Sequence, residues 1–205
     1  MLKYILYVIL VLVLIGGAAG VFHLYRVAQK NKKEMAAFMN GEIKLKKKFP
    51  KTLVVYYSLS GNTRAIAEKI QAKTGADIYE IKTAEVMTAN PVFYAKVKKQ
   101  LKSGTYPALA GEMPDLKKYN LIFVGAPVWW YTMATPMYSF LERVDFQNKA
   151  VVPFSTQGSN PGTYLADFKK AVRNARVYTY ESFNNLSKEY ERAVDNKINQ
   201  WLNNL

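Results

Sequence analysis

The chain of 205 residues contains no cysteine and only one histidine. The lack of cysteine excludes disulfides, thiolate metal ligands, a catalytic thiol and a cysteine-linked lipid anchor. His23 lies in an apolar N-terminal stretch, so the polar part of the chain has no imidazole base for serine-hydrolase chemistry. The acidic residues lack the spacing of metal ligands. We therefore expect no metal site and no catalytic side chain.

Acidic residues are also scarce: 15 Asp/Glu stand against 29 Lys/Arg, a net charge of +14. Residues 1–51 carry ten basic and two acidic residues, a net charge of +8, whereas residues 52–205 carry a net charge of only +6. The basic excess therefore lies beside the N-terminus. No basic face interleaved with aromatic residues appears elsewhere, so we do not expect a nucleic-acid partner.

The N-terminal segment is apolar, and residues 4–25 form an uncharged run of 22 residues. A helix of roughly 20 apolar residues crosses a bilayer, so residues 1–25 are predicted to be a retained transmembrane anchor. The small residues at positions 16–20 leave a second interpretation open. In that case the segment is a signal peptide, and the protein is exported after cleavage.

Residues 26–51 lack a sustained apolar periodicity and are predicted to be a basic juxtamembrane linker. Their basic residues include the cluster LKKKFPK at positions 45–51. By the positive-inside rule, this charge places the folded domain in the cytoplasm, on a single-pass protein of the cell membrane. The lysines are expected either to contact anionic headgroups or to belong to a solvated linker, and both interpretations stay open.

In the predicted domain, residues 52–205, strand-like and helix-like segments alternate. The predicted strands are 52–57, 76–81, 120–125, 150–154 and 176–181, and the predicted helices are 63–73, 94–102, 136–144, 164–174 and 187–202, the last with Ser187 as N-cap. This order predicts an α/β fold with a five-stranded, doubly wound parallel sheet in a three-layer sandwich. Ligands of such sheets bind beyond the carboxyl ends of the strands.

The first loop at that edge is unusually polar. It consists of Ser58, Leu59, Ser60, Gly61, Asn62 and Thr63. It leads into a helix N-terminus, where free amides and the helix dipole attract anions. The loop matches neither the Walker pattern nor G-x-G-x-x-G. It is interpreted as a phosphate loop, and the alternative is a solvent-facing helix cap.

The second loop follows the predicted strand NLIFVG and is aromatic. It contains Pro127, Val128, Trp129, Trp130 and Tyr131. Burial in the core explains one of the three large rings but not all three, because successive residues of an extended segment point to different sides. A ring that faces a crevice suits stacking on a planar ligand. A packing patch or partner surface is the alternative.

The third loop, residues 155–162, is polar and contains glycine. Backbone amides in a loop of this composition suit the edge of a heterocycle. Taken alone, this pattern is weak.

Together the three loops resemble the flavodoxin family across residues 52–205. The resemblance implies that the S-x-S-G-x-T loop holds the phosphate of FMN without a positive charge. It also implies that the P-x-W-W segment at 127–130 borders the isoalloxazine and that residues 156–158 touch its pyrimidine edge. The chain departs from the family at Tyr131, where resembling sequences often have a glycine. Residues 52–205 are also net basic, whereas soluble carrier flavodoxins are typically acidic.

The functional expectation is a membrane-tethered, FMN-binding flavodoxin that passes electrons between redox partner proteins. The alternative is an FMN-dependent NAD(P)H:quinone oxidoreductase, for which a tether suits a lipid-soluble quinone. A third interpretation, a binding module that has lost its flavin, is disfavoured by the intact loops.

Overall fold

A computed structural model describes residues 1–185 and 188–205. The α-helices are α1 Leu2–Met39, α2 Asn62–Thr74, α3 Pro91–Ser103, α4 Thr135–Arg143, α5 Tyr164–Ala171 and α6 Glu191–Asn203. The strands are β1 Thr52–Tyr56, β2 Asp77–Glu80, β3 Lys82–Thr83, β4 Leu109–Ala110, β5 Leu121–Trp129, β6 Thr132–Met133, β7 Lys149–Gln157, β8 Ala175–Val177 and β9 Glu181–Asn184. Short 3-10 turns cover Leu116–Lys118 and Lys188–Tyr190. The predicted N-cap Ser187 lies outside the described residues.

The main sheet has the parallel order β2-β1-β5-β7-β8, with β9 continuing the last position. The predicted doubly wound α/β fold is therefore confirmed. The fifth strand differs from the prediction, because it is split into β8 and β9. The split lies beside Pro153 of β7, which has no N–H to donate to a neighbouring strand.

Both faces of the sheet are covered. Alternate residues of β1 point to opposite sides, so Val55 packs in one apolar cluster with α4 and α5, and Val54 packs in the other with α2 and α6. All five residues of β1 are buried as a result. A strand buried on both faces reads as the continuous apolar run seen in the sequence.

The segment predicted to be a linker is ordered and packed against the domain. Helix α1 continues without a break to Met39. Met35 is buried, and the α6 side chain of Asn196 donates to the carbonyls of Phe38 and Gly41. The buried and half-buried positions of this part of α1 repeat at helical spacing, and they are Val27, Asn31, Glu34, Met35 and Phe38. Two of the five are polar, so a pattern that counts only apolar residues is weak here.

This segment connects the two edges of the sheet. Where α1 meets the domain, Glu34 accepts from Asn184 of β9 at the carboxyl edge. Past Met39, the chain runs along α6 to Asn203, and residues 47–50 reach Asn120 at the amino edge. The lysine cluster at 45–51 therefore lies at the edge opposite to the one that α1 contacts.

The N-terminal part of α1 extends away from the domain. Its most apolar window has a mean hydropathy of 2.7, and none of that window is buried. It has the length and composition of a membrane anchor or a signal sequence.

Candidate functional site

A cleft of about 510 Å³ opens at the carboxyl ends of β1, β5 and β7. The predicted site residues that line it are Leu59, Ser60, Pro127, Val128, Trp129, Trp130, Tyr131, Thr156, Gln157 and Gly158. The tertiary structure thus brings the three loops together. The predicted residues that do not line it are Ser58, Gly61, Asn62 and Thr63, which lie at the adjoining start of α2.

The start of α2 is an uncapped helix terminus. Gly61 is the N-cap with φ +90°, a left-handed conformation that suits glycine, and no side chain caps α2 within the part of the chain that the structure describes. The hydroxyl of Ser58 accepts from the Gly61 amide at 3.1 Å, and the Asn62 side chain donates to Ser60 Oγ at 3.2 Å. The solvent-facing cap weighed from the sequence is absent, and the first amides of α2 are left to meet an anion.

Thr63 has a different position from the other loop residues. Its side chain is buried, and its Oγ1 lies 2.7 Å from Oγ1 of Thr156. This hydrogen bond joins the first loop to the third and fixes the spacing between them. Thr63 therefore connects the first and third loops on the buried side of the site.

Arg64 is directed away from the loop. Its guanidinium pairs with Glu80 of β2 and donates to the Tyr56 hydroxyl at 3.2 Å. The hydrogen bonds to Glu80 and then to Tyr56 raise the pKa of the Arg64 guanidinium above its ordinary value. The charge of Arg64 is compensated by Glu80. The loop at residues 58–63 therefore offers hydroxyl and amide donors but no positively charged side chain.

The segment predicted to be the second loop is a strand and a tight hairpin. Strand β5 continues to Trp129 and turns back into β6. The turn holds Trp130 at φ +50° and Tyr131 at φ +64°. The left-handed region favours glycine, which gives a physical reason for the glycine that the resembling sequences have at this point. Behind the turn, the Thr163 amide donates to the Tyr131 carbonyl at 2.7 Å.

The three consecutive aromatic rings have three different environments. Trp129 forms one wall of the cleft and is held edge-on by Phe93 and Tyr57, with centroid distances of 4.9 and 5.5 Å. Trp130 is 45% exposed and donates to the carbonyl of Tyr94 at 3.1 Å. Tyr131 is 63% exposed at the mouth of the cleft. Burial also raises the pKa of Tyr57 to about 12, so its hydroxyl stays neutral at physiological pH.

Helix α3 covers the cleft, and its residues are not among the predicted site residues. Phe93, Tyr94 and Val97 of α3 line the cavity, together with Ala89 just before the helix. The only signal in the sequence is the unusual length of the connection between the second and third strands of the prediction. The part of that connection after α3 packs against the core through residues such as Leu109, so α3 alone forms the cover.

The third loop contributes backbone more than side chains. Thr156 and Gln157 belong to β7. The Gln157 side chain is buried and hydrogen-bonded to Ser155 and Asn184, and its carbonyl accepts from the Asn185 amide at 2.8 Å, so the next main-chain groups along the cleft are those of Gly158. Ser159, Asn160 and Asn185 also line the cavity, and none of them is among the predicted site residues.

Helix α1 supports this loop from outside. Lys30 Nζ donates to the Ser159 carbonyl at 2.8 Å. Glu34 accepts from the Asn184 side chain at 2.9 Å, and Asn184 in turn accepts from Gln157 at 3.2 Å. The part of α1 that follows the apolar run therefore contacts the site directly.

Comparisons with solved structures find flavoproteins. A flavoprotein from Lactobacillus acidophilus, crystallised in complex with FMN, is 27% identical with a TM-score of 0.59, and the match covers 64% of this chain and 92% of that one. A protein from Bacteroides uniformis described as a flavoprotein is 27% identical with a TM-score of 0.61, covering 76% of this chain and 99% of that one. One from Bacteroides eggerthii is 26% identical with a TM-score of 0.61, covering 74% and 95%.

No curated protein matches the chain. The family described as flavodoxin matches residues 51–205, which contain the whole sheet and all three loops. The cleft lies where this family's fold places its ligand, beyond the carboxyl ends of the central strands. The chain therefore belongs to the flavodoxin family.

Proposed function

We propose that this protein is a membrane-tethered, FMN-binding flavodoxin that transfers electrons. One observation carries the proposal: an uncapped helix terminus with a hydroxyl-rich loop opens into an aromatic-walled cleft. The FMN reported for the Lactobacillus acidophilus relative supports the same cofactor here.

The residues present fit FMN. A phosphate suits the hydroxyls of Ser58 and Ser60 and the first amides of α2, which are donors without a fixed charge. A planar ring suits the wall formed by Trp129. The main chain at Gly158, which lines the cleft, offers polar groups to the edge of a heterocycle. When bound, FMN supplies the one- and two-electron chemistry.

In this proposal, the residues of the chain bind and orient the flavin and shield it from water. Phe93 and Val97 of α3 are buried beside the cleft and exclude water from one side of it. Trp129 is fixed by the rings that contact its edges, so its position is set before a ligand arrives. A preformed wall loses little conformational entropy on binding.

The tether is proposed to be α1 itself, retained in the membrane as a single span. The basic residues directly after the apolar run, including Arg26, Lys32 and Lys33, favour a cytoplasmic domain.

The experiment is ligand titration of the full chain purified in detergent, followed by flavin absorbance and fluorescence. The double variant Ser58→Ala/Ser60→Ala should bind FMN at least about tenfold more weakly, because a hydrogen bond to a charged group contributes about 1.5–3 kcal/mol. Riboflavin, which lacks the phosphate, should bind as it does to the unchanged protein.

Thr74→Ala is the matched control, since Thr74 lies at the other end of α2. It should leave FMN affinity unchanged. A protein that binds neither flavin would overturn the proposal, and equal weakening of both flavins would overturn the assignment of the phosphate loop.

The enzyme alternative, an NAD(P)H:quinone oxidoreductase, is favoured by one observation: the cleft lies at the edge of the sheet from which the anchor leaves. The FMN-loaded protein in lipid nanodiscs should be mixed with NAD(P)H and a quinone. Rapid NAD(P)H oxidation supports the enzyme. Its absence, with reversible flavin reduction by a protein partner, supports the carrier.

A further inference from the structure

We infer that the protein rests on the membrane through one defined surface, the α3 rim, whose exposed members are Val92, Tyr94, Lys98, Trp130 and Tyr131. Its partner is the anionic headgroup layer of the bilayer that α1 enters. This turns the mouth of the cleft toward lipid. The inference rests on the membrane anchor of the proposed function, and it goes beyond it by giving the domain an orientation.

The direction of α1 is the first argument. Its contacts with Ser159 and Asn184 place Lys30 and Glu34 at the carboxyl edge of the sheet, beside the cleft. Lys30 lies only four residues after Arg26, which is about 6 Å along a helix that rises 1.5 Å per residue. The end of the apolar run is therefore close to the cleft, and the bilayer lies on the same side.

The exposed apolar surface is the second argument. After α1, seven large apolar side chains are exposed among the described residues. Five of them belong to α3, the segment just before it, and the hairpin tip: Val86, Val92, Tyr94, Trp130 and Tyr131. Tryptophan and tyrosine are the residues that favour the boundary between lipid and water. The domain therefore presents its most lipid-compatible face on the side of the anchor.

The charge of α3 is the third argument. The helix has four exposed lysines, Lys96, Lys98, Lys99 and Lys102, and no acidic residue. Lys98 lies 5.0 Å from the centroid of the Trp130 ring. The opposite face of α3 is buried over the cleft, so the helix is amphipathic with a basic outer face. Such helices lie on membrane surfaces, where anionic lipids attract lysine.

A cleft that faces lipid restricts what can approach the flavin site. A carrier dissolved in the bilayer meets the mouth directly, whereas a large soluble protein meets the headgroup layer first. A soluble partner can therefore reach the cleft only after the α3 rim has separated from the membrane.

The absence of cysteine makes the test direct. Single variants Val92→Cys and Tyr178→Cys are made in the full chain, labelled with a nitroxide and reconstituted in nanodiscs that contain phosphatidylglycerol and nickel-chelating lipid. Val92 lies on the α3 rim, and Tyr178 is an exposed residue beside Asn120 at the amino edge. The nickel headgroups should speed relaxation of the label at position 92 several-fold more than at position 178.

The charge is tested with two matched quadruple variants on the labelled chain. Replacing all four α3 lysines by glutamine should reduce the relaxation at position 92, as should added salt or a change to phosphatidylcholine. Replacing the four exposed lysines near the amino edge, Lys44, Lys46, Lys47 and Lys48, should leave it unchanged.

The outcomes separate the two proposals. A chain that does not enter nanodiscs overturns the anchor, and a chain that does not bind FMN overturns the cofactor. A chain that enters nanodiscs and binds FMN, yet shows equal relaxation at both positions, overturns the α3 rim alone. Equal effects of the two lysine variants overturn its electrostatic basis.

Discussion

Two lysine-rich regions of this protein have opposite positions relative to its apolar N-terminal helix. The lysines at positions 44–48 follow α1 closely in the sequence, yet they lie near the amino edge of the sheet because the chain runs back along α6. The lysines of α3 are distant in sequence, yet the helix covers the cleft at the edge that α1 contacts through Lys30. Which lysines lie near the apolar helix is therefore decided by how α1 packs, and not by distance along the chain.

The same two edges also differ in their tight turns. Gln147 and Asn148 near the amino edge, and Trp130 and Tyr131 at the carboxyl edge, all have positive φ. Asparagine tolerates this conformation, whereas bulky residues there are strained by about 1–2 kcal/mol each. Strain that persists beside a binding cleft points to a functional role for the two aromatic side chains.

The largest expected effect comes from breaking the α1 junction, the ion pair between Glu34 of α1 and Lys197 of α6. Lys197 of α6 is buried and pairs with Glu34 at 2.7 Å and Glu181 at 3.2 Å. Lys197→Ala leaves two carboxylates without their cation, so the free energy of unfolding should fall by about 3–5 kcal/mol, measured by urea denaturation in detergent. Lys51→Ala removes an exposed pair with Asp77 and should lower it by less than about 1 kcal/mol.

If the junction orients the domain, a Lys197→Ala chain that still inserts into nanodiscs should also lose the difference between the labels at positions 92 and 178. If Lys197→Ala and Lys51→Ala have equal free energies of unfolding, the ion pair between Lys197 and Glu34 does not hold α1 in place.

An intermediate effect is expected from exchanging the turn residues. Trp130→Asn/Tyr131→Gly relieves the strained turn and should raise the free energy of unfolding by about 1–2 kcal/mol, with loss of headgroup contact and weaker flavin binding. Asn148→Gly should change stability by only a few tenths of a kcal/mol, since asparagine already suits this conformation. Thermal unfolding and flavin titration measure the two effects. A double variant that is less stable than the parent would refute the strain argument.

The smallest effect is expected at Arg64, the basic residue nearest the phosphate loop in sequence. Its guanidinium is matched by Glu80, and the pair is partly exposed. Arg64→Gln should therefore have little effect on the free energy of unfolding and change FMN affinity by less than about twofold. Titration at low and high salt is the measurement, and a large, salt-sensitive loss of FMN affinity would contradict an uncharged phosphate site.

Much of the fold was predictable because buried elements leave local patterns. The apolar runs in β1 and β5 reflect strands covered on both faces, and the order of elements then implied a parallel sheet. The split of the last strand was not predictable, because it depends on register: between the pairs Val151–Val177 and Phe154–Glu181, β7 advances three residues and the last strand four.

The site was predictable where its residues form compact motifs. Ser60 and Trp129 could be identified within their own loops, since each motif is continuous in the chain. Phe93 could not, because its position over the cleft depends on how α3 packs against a hairpin from another part of the chain. The role of the Gln157 side chain also emerged only from its partners, Ser155 and Asn184.

By itself, the sequence determined the order of strands and helices, the apolar N-terminal segment and the polar and aromatic loops, because each depends on neighbouring residues. Only the tertiary structure decided which edge of the sheet α1 contacts. That decision rests on contacts such as Lys197 with Glu34 and Asn196 with the carbonyl of Phe38. Such contacts join residues far apart in sequence, so they form only when the helices have packed.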